Sequence, residues 1–556
     1  MNVPLTGGEM LVWSDLDGTH GPGPARGNAL SQLLASTGGR TLVAGPHDPA
    51  LLDALPSAEV TVLVRGVPDA QALATRYADR AGVSVCCGGL DKLAGQRPFD
   101  TVVALDGLDR LASAEAAQPT WGEAFATLTA ALAPGGLLLL GMENHLGLHR
   151  IVALPAEPTD AAWTEGAEHD PSRPAGLARV RARLAAAGLA VGRAYAAYPS
   201  PVAPAVLLDA PLLADEEHLG FLQAMLGQAH APVAALTDPV RLSAEAVRHG
   251  TAAELAPGWV FAARRAAAPP DGDEWATPAG SAVSPGNDGR AASDGSAVSP
   301  GGDRWTASDG AAASPGRDES VASSGPDGIV AVGASGSVVL HRDPAGGWTR
   351  RRSGTAQVEQ VPAGRTLLDL MLGACLRRDL PRLRELLQAW QGGRAAGVPA
   401  DQVVAVPGGE LVALAPAGTP DAALHRLAAA FLHAGTAHLW PSPVSPGELA
   451  LTLATMAGRE LDPADPPAGA DWPDEPAHRE LLAERDRLAG ELAAARAKVW
   501  WYEQMLTSRE DSLKRAQRII TLLTGKGPAR AGKALVGGAK AAKRTARAVV
   551  RGIQSR

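Results

Sequence analysis

At 556 residues the chain has room for two or three folded units of roughly 150 residues each. Apolar residues make up 46% but aromatic ones only 4%, so a core must be built mainly from Ala, Leu and Val, and three cysteines (Cys86, Cys87, Cys375) without a Cys-x-x-Cys spacing exclude a disulfide framework and a zinc knuckle. The formal charge of −8 is unevenly placed: residues 526–556 carry nine Lys or Arg and no acid, which leaves −17 on the remainder.

The first residues show no basic segment followed by an apolar run. No apolar stretch approaches the roughly 18 to 20 residues that cross a bilayer, so a cytoplasmic protein is expected. Residues 1–39 read as a loop and a helix leading into a sheet. From there, short apolar runs rich in β-branched residues alternate with helical patterns. RTLVAG (40–45), VTVLVRG (60–66), VSVCC (83–87), DTVVAL (100–105) and GLLLLG (136–141) are the strands; Pro68–Ala81 and Trp121–Leu132 are helices between them. Such alternation predicts an α/β unit with a mostly parallel sheet over 40–265. Pro134-Gly135-Gly136 is a tight turn feeding a buried strand.

Residues 266–325 repeat every 15 residues, as SAVSPGNDGRAASDG (281–295), SAVSPGGDRWTASDG (296–310) and AAASPGRDESVASSG (311–325). Units with almost no large apolar residues cannot offset the entropy of ordering, so a flexible spacer is expected. Residues 326–465 read as a smaller α+β domain. In it, QVVAV-PGG-ELVALA (402–415) is a hairpin, and Ser445-Pro446-Gly447-Glu448 starts a helix with a capping serine, a proline in the first turn and a glutamate reaching back.

Residues 478–525 place Leu481, Leu488, Leu492, Ala495, Val499, Tyr502, Leu506, Leu513, Ala516, Ile520 and Leu523 at alternating three- and four-residue steps. Only Arg485 and Arg509 break the series. That is a coiled-coil seam, which predicts a homo-oligomer; packing on the protein's own domain is the alternative. The basic stretch 526–556 sets Leu535, Ala539, Ala542, Ala546, Val549 and Ile553 on one helical side against cations. It suits an anionic membrane surface, at the inner face, or an acidic partner, and without aromatics for base stacking it points away from specific nucleic acid binding.

FDTVVALDGLDRL (99–111), LTAALAPGGLLLLGMENHLGL (128–148), LARVRARLAAAGLAVGRAYAAYPSPVAPAVLL (177–208) and LAPGWVFAARR (255–265) together resemble the class I S-adenosylmethionine-dependent methyltransferases, over about 40–265. The resemblance implies a Rossmann-like fold, S-adenosylmethionine as cofactor, and cofactor contacts from Gly45, His47, Arg65, Asp91 and Asp106. In this family the first strand ends in an acid and a glycine-rich loop; here Val43 takes the acid's place, and His47 and Pro49 replace glycines while Gly45 is kept. The second strand ends in Val64-Arg65, where the family has an acid for the ribose hydroxyls; Arg has no acceptor for them. Asp91 lies near the end of the third strand and Asp106 follows the fourth. Glu143 and His145 follow the fifth and are placed as bases for a protonated methyl acceptor, or as ordinary loop residues. Glu-Asn-x-Leu-Gly-Leu (143–148) and Tyr-Pro-x-Pro (198–201) are similar to methyltransferase-like proteins of bacterial surface-glycan clusters, which implies a sugar or glycan acceptor. Two readings stay open: a divergent methyltransferase, or a non-catalytic assembly protein on a degenerate fold.

Three further motifs bear on function. Asp15-Leu16-Asp17-Gly18-Thr19 resembles the nucleophile motif of haloacid-dehalogenase-like phosphatases, which needs a buried strand before it; Met10–Trp13 is a short candidate, and the Gly- and Pro-rich residues after it favour a loop. His341-Arg342-Asp343 mimics a kinase catalytic loop, but Trp348 stands where its Asn belongs. His425, His433 and His438 have spacings that fit zinc poorly, so no metal site is expected.

Overall fold

The computed structural model describes residues 3–18, 23–35, 37–93, 95–113, 118–153, 170–230, 236–267, 326–331, 337–353, 355–440, 445–461, 478–524, 538 and 541–542. The chain forms two compact units, Met1–Asp474 and Glu475–Arg556. Nearly all of the 15-residue repeats and of the basic tail lie outside the described residues.

The first unit is organised by one large sheet. Its early strands are β1 (Leu5–Gly7), β2 (Arg40–Ala44), β3 (Glu59–Val64), β4 (Val83–Gly88), β5 (Phe99–Ala104), β6 (Leu132–Glu143), β7 (Leu189–Tyr198), β8 (Val206–Asp209) and β9 (Gly258–Arg265). Each of the five runs singled out in the sequence falls within one of these strands, give or take two residues. The spatial order is β1-β4-β3-β2-β5-β6-β9-β7-β8, continued by later strands. Counted from β2, the parallel strands stand in the order third, second, first, fourth, fifth, sixth of a doubly wound Rossmann sheet. The antiparallel β9 is inserted between the last two. The N-terminal residues also contribute β1, which pairs in parallel with β4.

Burial follows the strand period of two. Val60, Val62 and Val64 enter the core on one face of the sheet, with helices Asn28–Leu34 and Val67–Arg76. Leu63, Val102, Ala104, Leu138 and Leu140 face the other, under helices Trp121–Ala130, Leu177–Ala186 and Leu219–Ala229. Thr120 and Glu123 close a capping box at the first of these. Gly135, at φ 77°, supplies the turn before the buried part of β6.

The segment after the repeats differs from the expected self-contained domain. β10 (Gly328–Val330) pairs antiparallel with β8, and β11 (Val338–Arg342), β12 (Trp348–Arg352) and β13 (Val358–Gln360) extend the same sheet. One cation fastens the seam. Arg193 lies 3.1 Å from Asp209, before the repeats, and 2.7 Å from Asp327, after them. The Tyr195 hydroxyl donates to the Pro326 carbonyl at 2.6 Å. The repeats are therefore an insertion into one sheet. Both of its flanks sit at the amino edge, three strand spacings apart, about 14 Å. A short strand such as β10, whose pairing is decided by residues more than a hundred positions away, leaves no periodic signal, so the boundary is not legible in the sequence.

A separate core begins only at Leu367, in helices Leu367–Leu376, Leu380–Gln391, Pro420–His433 and Pro446–Ala457. It carries a small sheet of β14 (Arg365–Thr366), β15 (Val403–Ala405) and β16 (Leu411–Ala413); the last two are the expected hairpin. Ser445 and Glu448 form the expected capping box. Gln402 donates to the Ala224 carbonyl at 3.2 Å, tying this core to the sheet's helices. The second unit contains the helix His478–Thr524. Among the described residues no helix is long and apolar enough to cross a membrane.

Arg193→Ala would leave Asp209 and Asp327 buried without their cation. A loss of about 3 kcal/mol in urea unfolding is expected at neutral pH, shrinking as the pH falls and Asp209, whose pKa burial raises, takes up a proton. Unchanged stability at pH 7 would reject this account of the seam.

Candidate functional site

In an open parallel sheet, ligands sit beyond the carboxyl ends of the strands. At that edge β2 turns at Gly45, whose φ of 91° favours glycine. A Cβ there would meet Leu111 at 3.3 Å. His47 is buried, its Nδ1 3.0 Å from the Gly45 carbonyl and its Nε2 accepting from the Leu105 amide at 3.1 Å. Burial pulls its pKa down to about 4, so the ring is neutral and committed to the backbone.

At the end of β3, Arg65 is buried and forks onto Asp15: Nε and Nη2 each donate at 2.8 Å to its two oxygens. Its Nη1 donates to the Ala112 carbonyl at 3.1 Å. Asp15 is 2% exposed; burial alone would raise its pKa, but the Arg65 bonds hold it below the usual carboxylate range. Arg110 forks in turn onto Asp106, with Nε at 2.8 Å, and its Nη1 lies 3.9 Å from Asp15. Burial pushes Asp106 up to about 6 against the pull of Arg110.

The N-terminal segment is laid across this edge as a strap. Met10 donates to the Arg65 carbonyl at 2.8 Å and accepts from the Val67 amide at 2.9 Å. Asp69, in the first turn of helix Val67–Arg76, accepts from the Ser14 hydroxyl and, at 2.8 Å, from the Asp15 amide. A Cβ at Gly66 would lie 2.2 Å from the Trp13 carbonyl, so only glycine lets the strap come this close. Gly45, His47, Arg65 and Gly66 are all buried. The positions where the resemblance places contacts to S-adenosylmethionine are engaged within the chain: a Cβ at Gly45 would meet Leu111 and Asp106, and the end of β3 offers a buried guanidinium committed to Asp15 and the Ala112 carbonyl.

Beside the strap lies a cavity of about 240 Å³, lined by Asp106, Trp121, Met142, Glu143, His149 and Arg173 among others. Glu143 accepts from His149 Nε2 at 2.9 Å and Arg150 Nε at 2.7 Å. Burial raises its pKa, but these two bonds outweigh it and bring it down to about 2, which makes it a weak base. His145 is half-buried and does not line the cavity. Asn144 is a turn anchor whose amide donates to the Glu254 and Ala256 carbonyls. Asp91 is exposed beside Lys92 at 2.7 Å and does not line the cavity either. The cavity thus gathers Asp106 and Glu143 of the expected residues, and adds Arg110, His149 and Arg173. Arg110 follows Asp106 by four residues in a run of turns, not on a helix, so no periodic pattern pointed to the pair.

The other motifs resolve structurally. Asp15 sits on an irregular stretch, not at a strand end, and is consumed by Arg65, so the phosphatase reading loses its nucleophile. Asp343 turns the β11–β12 hairpin, accepting from the Ala345 amide at 2.9 Å. Among the described residues no group of three or more His, Cys, Asp or Glu could hold a metal ion.

No protein-family model matches this chain, and no curated protein resembles it in sequence. Solved structures do. One is the N-methyltransferase NodS from Bradyrhizobium japonicum with S-adenosylhomocysteine, at 19% identity over 21% of this chain and 57% of that one, TM-score 0.18. Another is the Burkholderia thailandensis 1,6-didemethyltoxoflavin-N1-methyltransferase with S-adenosylhomocysteine, at 16% over 43% and 76%, TM-score 0.22. A third is CalS10, a S-adenosylmethionine-bound amino pentose methyltransferase from Micromonospora echinaspora, at 24% over 18% and 42%, TM-score 0.15. This chain spans little more than half of the first. The likeness concerns the fold alone, a Rossmann-like α/β sheet with one antiparallel strand inserted near its edge.

The ion pairs at Glu143 give a pH test. Its folded pKa, about 2, lies below the ordinary 4.5, so the stability it lends is complete above pH 4.5 and lost as the pH falls toward 2. Wild type should exceed Glu143→Gln by about 2 kcal/mol at pH 7, a figure discounted for partial exposure. The gap should close in acid; a gap independent of pH would contradict the assignment.

Proposed function

We propose that this chain is an assembly protein that keeps the methyltransferase fold as a rigid body and self-associates through the helix His478–Thr524. The observation that carries the reading is Arg65. Where the family grips the ribose with a carboxylate, this chain presents a guanidinium locked onto Asp15, and the strap that brings Asp15 lies across the end of β3. Lifting the strap would strand buried charges, which costs about 3–5 kcal/mol for each broken pair. The exposed apolar stripe of the helix supports self-association. An anionic membrane surface or an acidic partner for the basic tail belongs to the same reading.

The cavity beside Asp106 favours a second reading, a divergent S-adenosylmethionine-dependent methyltransferase with a sugar or glycan acceptor. Asp106, with a pKa near 6, would be its proton-handling group in place of Glu143. Isothermal titration of the full chain with S-adenosylmethionine and with S-adenosylhomocysteine separates the two. Neither should produce binding heat; saturable binding of either with 1:1 stoichiometry would overturn the assembly reading in favour of the enzyme.

A further inference from the structure

The helix His478–Thr524 exposes one side of its seam. Leu492, Val499, Leu506, Leu513 and Ile520 are each more than half exposed, and so is Tyr502. In heptad letters the first five are a positions and Tyr502 is a d position, as are Ala495 and Ala516. We propose that two copies of this helix pair in parallel and in register. The proposal rests on the self-association reading above and adds its geometry.

The argument is one of charge. In a parallel pair each g residue faces the e residue of the next heptad on the partner helix. Lys498 is at g and Glu503 at the matching e, both exposed. Glu491 and Arg496 hold the same two letters one heptad earlier, with the signs exchanged. None of the remaining g–e pairs along the helix matches like charges: Glu484 meets Ala489, Met505 meets Glu510, Ser512 meets Gln517 and Ile519 meets Thr524.

The two arginines that interrupt the seam obey the same geometry. A d residue of a parallel, in-register pair enters a hole on the partner that includes the e residue following that same d position. For Arg509 that residue is Glu510. An a residue enters a hole that includes the g residue just before it, and for Arg485 that is Glu484. Each cation that weakens the apolar seam is therefore placed against a carboxylate of the second copy, and only if the copies run in the same direction without an offset. A partner of other sequence has no reason to match these four acids and four bases.

In register, identical d positions face one another, so one cysteine per chain suffices to read the arrangement. Ala495→Cys and Ala516→Cys, made separately in the full chain, should each yield a disulfide-linked dimer on mild oxidation. Cys86, Cys87 and Cys375 are buried and supply little background. Light scattering of the unmodified chain should give twice 56.8 kDa. Lys498→Glu should weaken the dimer about tenfold, and adding Glu503→Lys should restore it. A monomeric mass would remove the self-association reading itself. A dimer in which either cysteine fails to cross-link, or in which the charge exchange does not restore affinity, would leave that reading standing and overturn the parallel, in-register geometry. A mass above the dimer would overturn the two-copy assignment.

Discussion

A guanidinium at the end of β3 decides much of what surrounds it. Arg65 cannot be neutralised by losing a proton, so at 7% exposure it needs a carboxylate within the protein. Asp15 supplies it, fifty positions earlier in the chain. To deliver Asp15, residues 10–17 must cross the carboxyl edge of the sheet. The crossing explains the glycine at position 66 and the use of Asp69 as a backbone and hydroxyl acceptor. Arg110 and Asp106 extend the same line of alternating charges along the edge. One substitution relative to the family pattern, a cation where an acid is expected, is thus accompanied by a whole set of side chains that accommodate it.

Such a charged line also explains why the neighbouring cavity is small and crowded. Arg173 reaches Asp109 at 3.0 Å and the Glu143 carbonyl at 3.3 Å, and His149 with Arg150 holds the Glu143 side chain. Most titratable groups at this edge have a partner from the chain itself. At Asp106, as at Asp69 beneath the strap, burial outweighs the hydrogen-bond partners in setting the affinity for protons.

The sheet from β2 to β6 was legible because buried parallel strands are short apolar runs bounded by Gly, Pro and charge, and Val60, Val62 and Val64 announce themselves without any partner. The Ser445 capping box and the Val403–Ala413 hairpin were legible for the same reason: their physics is local. The strapped edge of the sheet was half legible. The sequence displays Arg65, His47 and the missing acids, but not what answers them, because the pairing with Asp15 depends on a strap whose path no local pattern encodes. The Asp-x-Asp-Gly-Thr motif holds Asp15, but nothing in the motif itself shows that its carboxylate is bound by Arg65. His149 escaped notice because its role depends on the turn at Asn144-His145-Leu146-Gly147, which swings it back toward Glu143. The joining of β10 to β13 to the large sheet was illegible for a related reason: the link runs through β10 alone, whose partner β8 lies across the whole repeat segment.

That last arrangement has a consequence for the covalent chain. Since β10 is zipped to β8 and Arg193 is clamped between Asp209 and Asp327, the polypeptide on either side of the repeats is interleaved in a single body. Cleavage anywhere between residues 268 and 325 would divide the backbone without dividing the fold. The two fragments, each incomplete, would be natural halves of a reconstituted whole.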